Sequence, residues 1–188
     1  IRILGTHRRL PILARARGAP KPVCLIVPDG FATECVFLFE FGVRCALLAP
    51  DIQFALRLHP LVSFEEISDA ATSQGLPENF ELSELSVSED LSRSRWALYR
   101  GSSVAIHGVL AGLRPLYVSR QDEMSIDPLY ELRDWRCIIQ NPDELIAQVR
   151  SDLSNDQRRL AVESRAAVEY CEKYFAPLDP LAMEAVIC

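Results

Sequence analysis

At 188 residues the chain has room for one domain with a sizeable core. Its 49% hydrophobic and 24% charged residues are the mix of a folded globular protein, and a formal charge of −6 excludes a general nucleic-acid binder, because no surplus of cations exists to neutralise phosphates. No run of 18 apolar residues occurs and the amino terminus lacks a signal-peptide stretch, so no transmembrane segment is expected.

The six cysteines form no CxxC pair, and several lie in apolar runs where a thiol packs as a small hydrophobe. A reduced, soluble, cytoplasmic chain is the expectation, and work at the inner face of a membrane is compatible with it.

Residues 1–22 are basic and carry Pro11, Gly18, Pro20 and Pro22. They read as a linker or the tail of a preceding element, and residues 23–188 as one Rossmann-like domain. Val23 to Val27 is a short continuous apolar run closed by Pro28-Asp29-Gly30, as expected of a strand buried on both faces. Thr33 is expected to cap a helix running to Leu48, before Pro50-Asp51. Phe54 to Leu58 is predicted as a second strand, closed by His59-Pro60, and Glu65 to Ala71 as a short helix. Phe80 to Leu82 is a weak third strand, and Ser88 to Ser92 a helical turn. Trp96 to Tyr99 and Pro115 to Val118 are further strands on either side of a helix from Val104 to Ala111. Cys137 to Ile139 is predicted as a sixth strand, and Asp143 to Leu153 and Asp156 to Phe175 as closing helices.

Strand and helix alternate, so the fold class is α/β, a three-layer sandwich around a mainly parallel sheet. In such sheets ligands sit beyond the carboxyl ends of the strands, which selects the residues just after each strand.

Arg100-Gly101-Ser102-Ser103 stands where a strand gives way to a helix. Gly101 permits a tight turn, and the two hydroxyls sit at a helix start, a position that binds phosphate through unpaired N–H groups. On this segment alone, capping of the helix by one serine, without a ligand, is the favoured reading. Ala105, Gly108 and Ala111 let the helix approach the sheet closely, and Gly112 suits its end.

Arg57-Leu58-His59-Pro60 is the second candidate. His59 before proline is held extended at the ligand edge, where its imidazole N–H can donate to a phosphate oxygen with Arg57 beside it; a salt bridge for Arg57 and a turn role for His59 are the alternatives. Asp29 and Gly30 lie on the same edge, where turn chemistry accounts for them. Asp122, Glu123 and Asp127 follow the fifth strand, with a spacing that is no recognised metal loop. Asp127 before Pro128 is expected to cap a helix, and no metal is expected.

The run RGSSVAIHGVLAGLRPLY resembles the nucleotide-binding segment of GT-B glycosyltransferases, S-x-x-x-E-A-x-x-x-G-x-P in many members. An R/K-x-H-P segment followed by Ser-Ser is similar to the motifs of bacterial sialyltransferases and of CDP-glycerol-type polymer transferases. The resemblance implies one half of a GT-B fold, a nucleotide-sugar donor (UDP-, CDP- or CMP-linked) and no required cofactor. It places contacts with the donor phosphate on His59, Ser102 and Ser103, and Arg57, Arg100, Gly101 and His107 complete the expected nucleotide-binding set. His59 would stabilise the leaving phosphate, and the general base would come from an amino-terminal acceptor-binding domain or a partner chain. Where many members carry a glutamate for the ribose, this chain has His107, so a nucleotide contact and a packed histidine are both open. The implied function is donor binding for glycosyl transfer in surface polysaccharide synthesis. The alternatives are a non-catalytic nucleotide-binding or interaction domain and a polyol-phosphate transferase.

A GxSxG serine-hydrolase elbow and a GxGxxG dinucleotide turn are both missing. A phosphate-accepting receiver domain needs a suitably placed lysine, and Lys21 and Lys173 are not.

Overall fold

The computed structural model describes residues 10–14, 21–68, 75–121, 123–155 and 157–175. In chain order the elements are β1 (Val23–Val27), α1 (Ala32–Leu48), β2 (Gln53–Leu56), α2 (Glu65–Ser68), β3 (Phe80–Leu82), α3 (Val87–Arg93) and β4 (Ser94–Tyr99). They continue with α4 (Val104–Leu110), β5 (Arg114–Val118), β6 (Cys137–Ile139), α5 (Pro142–Ser154), α6 (Gln157–Glu172) and a 3-10 turn at Lys173–Phe175.

All six strands run parallel, in the order β3-β2-β1-β4-β5-β6. The apolar run of β1 is buried throughout, as its composition demands. Cys24 and Ile26 join the cluster built on α1 and α5, and Val23, Leu25 and Val27 join the one built on α4 and α6. The two clusters on opposite faces make the three-layer sandwich, with β1 and β4 at its centre.

Several local expectations shift. Thr33 is not a cap: Phe31 occupies the N-cap position of α1 without a side-chain bond, and Asp29 Oδ1 accepts the Phe31 N–H at 2.9 Å. β2 ends at Leu56, short of the predicted Leu58, and the next residue, Arg57, turns its side chain to Asp90. α3 is longer than a turn, since Ser86 and Glu89 form a reciprocal capping box. Asp127 caps no helix: its Oδ1 accepts the Leu129 N–H at 2.8 Å within a turn. Gly112 ends α4 as expected, at φ +81°. Within the expected linker, Ser88 Oγ donates to Pro11 O at 2.9 Å as residues 10–14 pass α3. Residues 1–9 and 15–20, the end of the predicted helix at Ala71, Asp122, Asp156 and Cys188 lie outside the described residues.

Candidate functional site at the carboxyl edge

The strand order reverses direction between β1 and β4, so the loops after these strands lead to opposite faces and leave a crevice between them. Three segments converge there. The turn after β1 carries Asp29 and Gly30, the loop after β2 carries His59, and the turn after β4 carries Gly101, Ser102 and Ser103.

Their contacts are close enough to dictate residue type. A Cβ at position 30 would come within 3.2 Å of His59 Nδ1, so the imidazole packs against bare backbone. At position 101 the backbone turns at φ +56°, and a Cβ would meet Asp29 Oδ2 at 2.8 Å. His59 Nδ1 accepts the Leu61 N–H at 3.3 Å, so in the neutral ring the proton sits on Nε2, which becomes the donor. Ser103 stands at the N-cap position of α4 but makes no side-chain capping bond, so the capping reading is not realised by it. Ser102 is largely buried next to it.

From the predicted set, His59 packs on Gly30 and Gly101 on the adjoining Asp29, so the turn after β1 lies between them, and Ser102 and Ser103 follow Gly101 in the chain. The structure gives the two arginines protein partners. Arg57 Nη1 lies 3.0 Å from the fully buried Asp90, which also binds Arg93 at 2.9 Å and the Ser83 hydroxyl. That is the salt-bridge alternative for Arg57, and it anchors the loop that carries His59. Arg100 is 2% exposed and donates to Glu34 (2.6 Å), the Val118 carbonyl (3.0 Å) and Glu123 (2.8 Å). It therefore ties the end of β4 to α1 and to the loop after β5. Arg120 completes the arrangement, 2.9 Å from Glu123 and 4.8 Å over the Phe37 ring.

His107 takes the packed form. It is 8% exposed, and its ring stacks on Phe175 at 4.3 Å with 27° between planes. Asp29 and Gly30, by contrast, belong to the crevice, and their sequence signal was the Pro-Asp-Gly closing the first buried strand. Asp127 is a buried acceptor for Tyr99 (2.8 Å) and Arg136, and burial together with its charge holds the Tyr99 phenol far above its ordinary range. Among the described residues no group of three or more His, Cys, Asp or Glu side chains is arranged to hold a metal ion. None of the described helices is long and apolar enough to cross a membrane.

A separate cleft of about 230 Å³ lies at the opposite, amino edge, between Trp96, Arg114 and Trp135. Its Asp152 accepts from Trp96 Nε1, Arg114 and Gln148, which gives it a supporting part in the framework.

No family model and no curated protein matches the sequence. Solved structures match the fold. The glycotransferase of kitacinnamycin is 19% identical with a TM-score of 0.57, over 91% of this chain and 44% of that one. The glycosyltransferase SnogD from Streptomyces nogalater is 15% identical with a TM-score of 0.58, over 90% and 44%. The wall teichoic acid polymerase TagF is 19% identical with a TM-score of 0.56, over 90% and 42%. In fold this chain is an α/β Rossmann-like domain similar to part of each of these proteins, and it spans less than half the length of each.

Proposed function

We propose that this chain is the donor-nucleotide-binding domain of a glycosyltransferase that moves a sugar from a nucleotide-activated donor to a hydroxyl acceptor, in the synthesis of a surface polysaccharide. The observation that supports the reading is that the turn after β1 meets both the His59 loop, at Gly30, and the Gly101-Ser102-Ser103 turn, at Asp29, beside the switch between β1 and β4. His59 Nε2–H and the two serine hydroxyls are neutral donors suited to a diphosphate whose charge grows as the sugar leaves. Asp29, a carboxylate at the same crevice, suits a ribose or sugar hydroxyl rather than a phosphate, and takes over the hydroxyl contact that the packed His107 does not make. Arg57 and Arg100 act here by fixing the loops. A second domain or partner chain would supply the acceptor site and the base, so the isolated chain binds nucleotide with little or no transfer.

One observation favours a second reading. Both site arginines are committed to carboxylates of the protein, which leaves the crevice without a free cation among the residues named above. A nucleotide-binding domain without turnover needs no more than that. A polyol-phosphate transferase is the third reading, in keeping with the motif resemblance.

Calorimetric titration with UDP, CDP, GDP and CMP, beside the Ser102→Ala/Ser103→Ala variant, tests the site. Hydrogen bonds to a charged group are worth roughly 1.5–3 kcal/mol, so affinity is expected to fall about ten- to a hundredfold. The preferred nucleotide names the donor class. Failure of every nucleotide to bind the full-length parent protein overturns the reading, and robust turnover by the isolated chain overturns the need for a second domain.

A further inference from the structure

A cavity of about 380 Å³ lies at the carboxyl edge on the flank of α1. That volume is in the range of ligand pockets, roughly 300–1,000 Å³. Three segments line it. Phe37, Phe41 and Arg44 form one stripe of α1 at helical spacing; Ser119, Arg120 and Gln121 follow β5; Gln140, Asn141 and Pro142 lead from β6 into α5.

The composition of this lining is unusual for a chain of net charge −6: two arginines and no carboxylate. Arg44 is exposed, its Nε donates to the Glu40 carbonyl at 3.3 Å, and it makes no ion pair among the described residues. Arg120 is paired with Glu123 at 2.9 Å and Glu34 at 3.8 Å and covers a face of Phe37, so its charge is spent within the protein and Arg44 is left as the cation open to a ligand. Phe37 is half-buried and offers its open edge to the pocket, and Phe41, 6.2 Å away and 2% exposed, packs beneath it. Ser119 contributes a hydroxyl, and Gln121 and Gln140 contribute amides, while the Asn141 amide caps α5, bonded at both ends to Glu144, and serves as a reporter at the pocket wall.

These groups match the three kinds of surface on an acidic sugar. Its C–H face packs on aromatic carbon, its hydroxyls exchange hydrogen bonds with amides, and its anionic group meets a guanidinium. We infer that the pocket between α1, the loop after β5 and the start of α5 binds a carboxylate- or phosphate-bearing saccharide unit, with Arg44 as the anion contact. The inference stands independently of nucleotide binding at the crevice, because His59, Ser102 and Ser103 do not line this pocket and Arg44 is not part of the crevice.

The test is amide NMR of the side chains of Gln121, Gln140 and Asn141 during titration with glucuronate, glucose 6-phosphate and, as the neutral control, glucose. Either acid is expected to shift these three amides, and the one that does identifies the anionic group. Arg44→Gln should weaken that binding by about tenfold or more, and high salt should weaken it as well. The Ser102→Ala/Ser103→Ala variant should bind the acid as the parent does, which separates this site from the crevice. The inference is overturned if neither acid shifts these amides, if glucose shifts them as strongly, or if Arg44→Gln binds unchanged.

Discussion

Asp29 and Gly101 hold the two lips of the crevice in contact: the carboxylate occupies the space that a side chain at 101 would need, 2.8 Å from the position of a Cβ. Gly101→Ala combines that collision with a left-handed backbone at φ +56°, so it is expected to cost about 1–2 kcal/mol of stability. Because Ser102 and Ser103 follow directly, nucleotide affinity should fall with it. Thermal unfolding and titration of the same sample check both effects, and a variant that melts and binds like the parent would show that the turn is not fixed.

The serine variant should separate binding from stability. A helix-capping serine is worth about 1 kcal/mol, but Ser103 makes no capping bond. Ser103→Ala is therefore expected to leave the urea midpoint nearly unchanged while weakening nucleotide binding. A large loss of stability with intact binding would return this residue to a purely structural role.

Asp90 is the carboxylate on which the His59 loop depends. It is fully buried and receives Arg57, Arg93 and Ser83. Removing one member of such a buried group costs about 3–5 kcal/mol, toward the low end here because both arginines retain some water contact. Asp90→Ala should lower the urea midpoint accordingly. Asp90→Asn, which keeps the shape and loses the charge, should recover part of the stability.

The buried thiols give the chain an alkaline limit. Burial pushes Cys35 up to about 11 and Cys45 and Cys171 up to about 12, above an ordinary value of 9.0. Between pH 9 and 11 the folded chain keeps protons that the unfolded chain releases, so stability present below pH 9 declines as pH rises through that window. Urea midpoints at pH 8 and pH 10 should differ in that direction. At pH 8 a thiol–disulfide reagent should leave Cys24, Cys35, Cys45 and Cys171 intact until the chain is unfolded; rapid labelling of the native state would contradict this.

The layers of the fold were legible because they rest on local pattern. An apolar run such as Val23–Val27 has few other solutions, and the alternation of such runs with helices implies the parallel sheet. What misled was long-range partnership. Nothing near Arg57 announces Asp90, 33 residues away, and nothing near Arg100 announces both Glu34 and Glu123. His107 looked available because Phe175 is remote in sequence. Thr33 has the chemistry of a cap, but Asp29 already takes the Phe31 N–H, and the helix starts one residue before Thr33. Residue type locates an edge of the sheet well. It does not say whether a cation on that edge faces ligand or protein.

The central strand pairing also sets a timetable for folding. β1 and β4 meet only after a loop of about 70 residues has closed, and the lips of the crevice lie on those two strands. The crevice is thus complete only when this long-range pairing has formed, with no partial version on either half of the sequence. A nucleotide that recognises the finished crevice would act as a trap on that pairing, drawing refolding forward by binding only the completed sheet.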